Sequence, residues 1–155
     1  MRILVVVVGR VRDAALAQAV RSYETRAAHY WPLEVREVRE ESGRGLAPAR
    51  VREREGERLL AAVGDGTQVV ACDATGRMTT SEEFATWLQR AREQATRDVA
   101  FVIGGAYGLA APLLARVSER MAFSRWTFPH EMARLVLAEQ LYRAGTLMRG
   151  EPYHK

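Results

Sequence analysis

The stretch ILVVVV, Ile3 to Val8, is an uninterrupted apolar run near the start of the chain. A strand with one face in water alternates apolar and polar residues, whereas a strand covered on both faces is apolar throughout. Both faces are usually covered where helices connect parallel strands. The run therefore predicts a buried strand in a mostly parallel sheet, at the centre of an α/β domain.

Strand-like and helical segments alternate along the rest of the chain, which is the pattern expected for such a sheet. Further strands are predicted at Leu33 to Val38, Thr67 to Cys72, Asp98 to Ile103 and Met121 to Phe128. Helices are predicted after the N-cap residue Asp13, from Pro48 to Gly64, after a capping box of Thr80 and Glu83, at Pro112, and from Glu131 to Leu147. Since no linker or repeat divides it, the chain is predicted to form one domain, residues 1–155, with helices on both faces of the sheet.

The composition excludes some classes of protein and favours others only weakly. A single cysteine, Cys72, leaves no internal disulfide framework and no multi-cysteine zinc site, so we expect a reducing, cytoplasmic compartment. No apolar run is long enough to span a bilayer, and no membrane partner is predicted. The net charge of +4 suits a polyanionic partner such as nucleic acid. All basic residues except Lys155 are arginine, however, and that bias also arises from a GC-rich genome.

Ligand-binding residues are expected beyond the carboxyl ends of the strands, where loops and helix N-termini converge in parallel sheets. Three segments follow strand ends in this way: Cys72 and Asp73 with Gly76, the loop GGAYG from Gly104 to Gly108, and RWTFPH from Arg125 to His130. The glycine loop does not match the Gly-x-Gly-x-x-Gly dinucleotide signature, which argues against an ordinary nicotinamide site. It is equally compatible with a tight structural turn. No metal is predicted, because no side chains have the spacing of metal ligands.

The segments IGGAYG, RWTFPHEMARLVLAEQLYRAG and GEPYHK, in this order and at this chain length, resemble the RlmH (YbeA-like) methyltransferases of the SPOUT class. The resemblance covers essentially the whole chain. It implies a SPOUT fold with a C-terminal trefoil knot, a homodimer, and S-adenosylmethionine as the methyl donor. It also implies methyl transfer to N3 of a pseudouridine in helix 69 of 23S ribosomal RNA, within the assembled ribosome.

Carried over position by position, the resemblance assigns the methyl-donor pocket to three parts of the chain. The predicted donor-binding residues are Cys72, Gly105, Arg125, Trp126, Thr127, Phe128, Pro129 and His130. Glycine and aromatic residues at strand ends suit an adenine ring, which needs apolar walls and backbone hydrogen bonds. One departure is Cys72, where the family pattern has leucine.

The chain ends in EPYHK, and the resemblance gives these residues a possible function. Methylation at N3 of a uracil-type ring needs a base to remove a proton, or stabilisation of the charge that spreads to the ring oxygens. We predict that His154 is the base, that Tyr153 stacks on the target ring, and that Arg143 holds a phosphate or the negative oxygen. His154 could equally serve only to bind RNA.

Two other functions fit the residues as well. One is a related SPOUT methyltransferase that acts on another RNA, such as transfer RNA. The other is a ribosome-binding α/β module without catalytic turnover.

Overall fold

A computed structural model describes residues 1–94 and 97–154 of the chain, the last of these without its side chain. The strands are β1 (Ile3–Val8), β2 (Leu33–Val38), β3 (Gln68–Met78), β4 (Val99–Ile103) and β5 (Glu119–Ala122). The helices are α1 (Ala14–Ala27), α2 (Pro48–Val63), α3 (Ser81–Gln94), α4 (Ala111–Leu114) and α5 (His130–Met148), followed by a 3-10 turn, Pro152–His154.

The five strands form one parallel sheet in the order β2-β1-β4-β3-β5. All six residues of β1 are buried, as the apolar run predicts. Alternate β1 residues face two separate cores. Ile3, Val5 and Val7 pack on the side of α1, α3 and α5, while Leu4, Val6 and Val8 pack on the side of α2 and α4. The predicted α/β domain with helices on both faces is therefore confirmed.

Local hydrogen bonds set the starts of two helices where the sequence predicts them. The Asp13 carboxylate accepts a bond of 2.7 Å from the Leu16 amide at the start of α1. Before α3, the Thr80 amide donates to the Glu83 carboxylate at 2.8 Å, and the Glu83 amide donates to the Thr80 hydroxyl at 3.1 Å. This reciprocal pair is a capping box, which satisfies two amides that a helix leaves unpaired at its start.

The third strand is longer than the sequence predicts. Instead of ending at Cys72 it runs to Met78, with a register shift against β5 between Cys72 and Arg77. The Asp73 carboxylate accepts from the Thr75 amide at 2.9 Å, a local turn that carries the chain out of the ladder before pairing resumes. The DATG sequence therefore marks an irregularity within β3 and not its end.

The fifth strand is shifted towards the N-terminus by comparison with the prediction. It covers Glu119–Ala122, and residues 123–129 form a loop instead of the predicted continuation to Phe128. The Ser124 hydroxyl accepts from the Trp126 amide at 3.0 Å, and such a turn competes with strand pairing. The apolar residues Trp126 and Phe128, which fall within the predicted strand, are both exposed.

Among the residues that the structure describes, no helix is both long enough and apolar enough to cross a membrane.

Candidate functional site

The three segments that follow strand ends meet in one cleft of about 350 Å³ at the carboxyl edge of the sheet. It is lined by Cys72, Asp73, Ala74, Ile103, Gly104, Gly105, Ala106, Tyr107, Gly108, Leu109, Phe123, Ser124, Trp126, Thr127, Phe128, His130 and Ala133. Most of these side chains are apolar or aromatic, and the glycines expose backbone. A cleft of this size and lining suits a small organic ligand with a flat ring.

The glycine loop forms one wall of the cleft through a tight turn. The Gly108 amide donates to the Gly105 carbonyl at 3.0 Å, and Gly108 has a φ of +78°, in the region that favours glycine. A Cβ added at Gly104 would lie 2.7 Å from the backbone carbonyl carbon of Gly108. Glycine is therefore required both for the turn and for the close approach of its two ends.

The segment between β5 and α5 forms the opposite wall. The Trp126 side chain is 80% exposed, and Phe128 beside it is also exposed. Pro129 is the N-cap of α5, whose first turn brings His130 and Ala133 to the cleft. The start of a helix carries partial positive charge and unpaired amides, so it favours a ligand group that accepts hydrogen bonds.

Cys72 contributes a neutral thiol to the base of the cleft. Burial and the neighbouring Asp73 carboxylate both raise the pKa of this thiol, with burial the larger cause. A thiolate would be the reactive form, so the side chain acts as a small apolar group near neutral pH. This role is compatible with the departure from leucine.

The structure places most of the predicted donor-binding residues in the cleft wall. Cys72, Gly105, Trp126, Thr127, Phe128 and His130 line it. Arg125 and Pro129 belong to the same segment but are not lining residues. Tyr107 and Asp73 also line the cleft but were not among the predicted site residues, although both lie in segments that follow predicted strand ends.

The C-terminal residues fold back onto α5 instead of extending away from it. At the end of the helix the Glu151 amide donates to the Thr146 carbonyl at 2.9 Å, and the Gly150 amide donates to the Leu147 carbonyl at 3.1 Å. With Gly150 at a φ of +67°, these bonds form a Schellman motif, which reverses the chain direction. Tyr30 also donates a hydrogen bond to the Glu151 carboxylate, which fixes the start of the tail against the turn that follows α1.

Tyr153 lies in a cluster of aromatic and charged side chains on α1 and α5. Its ring centroid is 4.5 Å from that of Tyr142 and 4.9 Å from the guanidinium carbon of Arg143. Its hydroxyl donates to the Glu139 carboxylate at 3.1 Å and lies 3.3 Å from the Tyr23 hydroxyl. Burial is the first cause that raises the pKa of Tyr153, followed by the hydrogen bond with Tyr23, so the phenol stays protonated.

Glu139 organises this cluster, although it was not among the predicted site residues. One of its oxygens accepts from both Arg143, at 2.5 Å, and Tyr153. The hydrogen bond with Glu139 is the main cause that raises the pKa of Arg143. The only sequence signal for this pair was its i,i+4 spacing on the helix.

The tail cluster contacts α5 from its middle towards its C-terminus, whereas the cleft meets the first turn of this helix. Glu139 and Arg143 follow His130 by nine and thirteen residues, which corresponds to about 14 Å and about 20 Å along the axis at 1.5 Å per residue. The structure therefore brings Tyr153 and Arg143 together but does not bring them to the cleft of the same chain. The His154 side chain, predicted to be the base, lies outside the part of the chain that the structure describes.

Comparison with known protein families gives a match over nearly the whole chain. A family profile described as "Predicted SPOUT methyltransferase" matches residues 1–154. A solved structure described as a probable methylase family protein from Haemophilus influenzae superimposes with a TM-score of 0.59, covering 99% of this chain and 70% of that chain. At 16% sequence identity, that similarity supports the fold alone.

Relatives named ribosomal RNA large subunit methyltransferase H align over their full length. The protein from Gemmatimonas aurantiaca is 58% identical over 155 residues, covering 100% of both chains. The protein from Nitratidesulfovibrio vulgaris is 45% identical over 150 residues, covering 97% of this chain and 96% of the relative. One from Clostridium acetobutylicum is 37% identical, again covering 100% of both chains. The chain therefore belongs to the SPOUT methyltransferase family and, within it, to the RlmH group.

Proposed function

We propose that this protein uses S-adenosylmethionine to methylate N3 of pseudouridine 1915, in helix 69 of 23S ribosomal RNA, on the assembled ribosome. The relatives' names support ribosomal RNA as the substrate class. The observation that carries the proposal is the cleft, in which the glycine loop, Cys72 and the Trp126–His130 segment converge at the carboxyl edge of the sheet.

The cleft residues fit the methyl donor by their chemistry. Apolar side chains and glycine backbone provide most of the lining for an adenine ring, Asp73 adds one carboxyl group, and the start of α5 favours an acceptor group. The bound donor supplies an electrophilic methyl group. The residues of the chain bind and orient the reactants, and positioning of this kind contributes much of the rate of a transfer reaction.

The tail residues act on the RNA base. The Tyr153 ring offers a face on which an extruded base can stack. Arg143 remains protonated beside Glu139, so it can hold a phosphate or a ring oxygen that gains negative charge. In this proposal His154 removes the N3 proton. A His154→Ala protein that retains full single-turnover methylation at saturating ribosome concentration would exclude that role.

The active form is a homodimer in which the cleft of one protomer meets the tail of the other. Two observations support this arrangement. The tail cluster is about 14 to 20 Å along α5 from the first residue of this helix, which lines the cleft of its own chain. Trp126 and Phe128 in the cleft wall and Met132 in the first turn of α5 are exposed apolar side chains, and an exposed group of this kind is typical of an interface. The C-terminal trefoil knot remains part of the proposal.

The decisive experiment is mass spectrometry of ribosomal RNA from cells with and without this gene. Loss of one methyl group at one pseudouridine of helix 69 is the expected result. Retention of that methyl group in the deletion strain would refute the proposed substrate.

Methylation by the purified protein separates the alternatives. Intact ribosomes, free ribosomal RNA and transfer RNA are each incubated with radiolabelled S-adenosylmethionine, and only ribosomes are expected to accept label. Labelled transfer RNA would point to a different SPOUT activity. Calorimetry that detects no donor binding at millimolar concentration would favour the ribosome-binding module without turnover.

A further inference from the structure

One carboxyl group behind the cleft has an environment that the proposed reaction does not explain. The Glu55 side chain, on α2, is only 3% exposed. Its Oε1 atom accepts a hydrogen bond of 3.0 Å from the Glu41 amide. Its Oε2 atom is buried and has no hydrogen-bond partner among the residues that the structure describes. An unpaired buried carboxyl oxygen destabilises the fold, so such a group requires a specific reason.

The unpaired oxygen lies directly behind the glycine loop. A Cβ added at Gly105 would be 2.7 Å from Oε2 of Glu55 and 3.0 Å from a methyl carbon of Val8. Gly105 itself lines the cleft on its other side. The Glu55 carboxyl group therefore supports the wall of the cleft from behind.

The same carboxyl group also connects the loop to residues 39–47, the irregular segment between β2 and α2. Glu41, whose amide binds Glu55, forms ion pairs with Arg58 and, at 3.5 Å, with Arg54 of α2. Further along this segment, a Cβ at Gly43 would lie 3.6 Å from the Tyr107 hydroxyl. The segment thus contacts both α2 and the glycine loop, with Glu55 between them.

We propose that Glu55 is a positioning residue, which joins the 39–47 segment to the Gly104–Gly108 loop and thereby sets the shape of the methyl-donor pocket. This inference rests on the proposed function, since it concerns the same cleft. Glu55 does not touch the donor and acts only through Gly105.

The neutral carboxyl group is the form that performs this role. Burial is the main cause that raises the pKa of Glu55. Its hydrogen bond from the Glu41 amide and the charge of Arg58 oppose the shift, while the carboxylates of Glu40 and Glu41 add to it. Two other elements lie beside Glu55. The glycine loop carries one titratable side chain, that of Tyr107, and β1 presents the apolar side chain of Val8. A neutral group packs against Gly105 and Val8 at a lower desolvation cost than a carboxylate.

Calorimetric titration of the full-length protein tests the proposal with two ligands, S-adenosylmethionine and S-adenosylhomocysteine. Glu55→Gln retains the size and polarity of the neutral group, so at a pH where Glu55 is protonated we expect both affinities to stay within about twofold of wild type. Glu55→Ala removes the support behind Gly105 and should weaken both ligands by about tenfold, which corresponds to about 1.4 kcal/mol. The matched control is Glu57→Gln, the same change at an exposed position of α2, which should have no effect.

The pH dependence gives a readout that a purely structural role would not produce. Wild-type affinity should fall as the pH rises beyond the ordinary glutamate range and through the raised pKa of Glu55, because ionisation depletes the binding-competent form. Glu55→Gln should lack this component, and the difference between the two profiles isolates the contribution of Glu55.

The outcomes distinguish the inference from the function on which it rests. Equal affinities of Glu55→Ala and wild type, or the same pH profile for wild type and Glu55→Gln, would refute the positioning role. Weakening of S-adenosylmethionine alone would also refute it, because that result means that Glu55 acts as a counter-charge to the donor's sulfonium. If the wild-type protein binds neither ligand, the proposed function itself fails, and the inference with it.

Discussion

At the scale of single residues, two helical glycines have opposite surroundings. A Cβ at Gly145 in α5 would lie 2.3 Å from the ring of Tyr30, whereas a Cβ at Gly56 in α2 would meet Ala110 and Leu113 at 3.6 Å. The first distance is a severe overlap and the second is an ordinary contact. Glycine at position 145 therefore sets how closely α5 approaches the end of α1.

We predict that Gly145→Ala lowers the free energy of unfolding by about 1–3 kcal/mol, because Tyr30 must move to admit the methyl group. Gly56→Ala is the matched control. It should leave the stability unchanged or raise it by up to about 1 kcal/mol, since alanine is the better helix former. Urea denaturation followed by circular dichroism measures both. A Gly145→Ala protein as stable as wild type would contradict the packing described for Tyr30.

A second residue-scale prediction concerns Asp98, which ties the start of β4 to Arg2. Its carboxylate accepts from the Arg2 amide at 2.8 Å and from the Arg2 guanidinium. The bond from the Arg2 amide is the main cause that lowers the pKa of Asp98. A carboxyl group with a lowered pKa contributes stability above its unfolded pKa and loses it as the pH falls.

We therefore expect wild-type stability to decrease as the pH falls through about 4 and below, near the ordinary aspartate pKa. Asp98→Asn should be less stable than wild type at neutral pH but should show a smaller acid-dependent decrease. Denaturation at a series of pH values measures the difference in slope. The exposed turn residue Asp65 provides the control, and Asp65→Asn should follow the wild-type curve. Identical slopes for wild type and Asp98→Asn would be inconsistent with the assigned bonds.

At the scale of elements, the sequence predicted those parts of the fold that depend on local chemistry. The apolar run of β1, the Asp13 cap and the Thr80–Glu83 capping box all specify structure through neighbours in the chain. The ends of β3 and β5 were misplaced because they depend on pairing between the two strands. The backbone of Arg120 and Met121 packs within 2.8 Å of the Cβ position of Gly76. The residue pattern of one strand alone does not indicate such a contact with another strand.

The site was predictable to the same extent. The segments that form the cleft could be identified because each follows the end of a predicted strand. Topology fixes the edge of the sheet at which parallel strands end. Glu55 lies among charged neighbours in RVREREGER, residues 50–58, a pattern typical of a solvated helix face. Its burial follows from contacts with β1 and the glycine loop, which are distant in the sequence. The cluster of Tyr153 with Glu139 and Tyr23 was missed for the same reason.

The Schellman motif at the end of α5 leads to a prediction for the tail. Gly150→Ala places a side chain at a φ of +67°, which costs roughly 1–2 kcal/mol and loosens the reversal that brings Tyr153 onto α5. We expect slower methyl transfer to ribosomes with unchanged donor affinity. Gly64→Ala is the control, since Gly64 also has a positive φ, of +83°, but follows α2. It should lose stability while keeping the transfer rate. Equal transfer rates for both variants would argue against a role of the tail in the reaction.

At the scale of the whole molecule, complementation tests whether the site is shared between protomers. Tyr153→Ala impairs the tail, and Gly105→Val places a side chain against Glu55 and Val8 behind the glycine loop, which displaces the loop and distorts the donor cleft. Each variant alone should be inactive. In an equal mixture that has exchanged subunits, half of the dimers are mixed and each holds one intact composite site, so activity should recover to about a quarter of wild type. No recovery, in a mixture shown to have exchanged, would mean that each chain completes its own site.

The strand order has a consequence for how the chain is made. β1 lies between β2 and β4, and Ile3 of β1 pairs with Val99 of β4. A growing polypeptide that has not yet reached Val99 therefore carries its most apolar strand with one edge open. Such pairings, distant along the chain, are slow to form and leave the edge available to other chains meanwhile. Newly synthesised molecules thus depend on rapid completion of translation, or on chaperones that bind apolar segments, until the second half emerges.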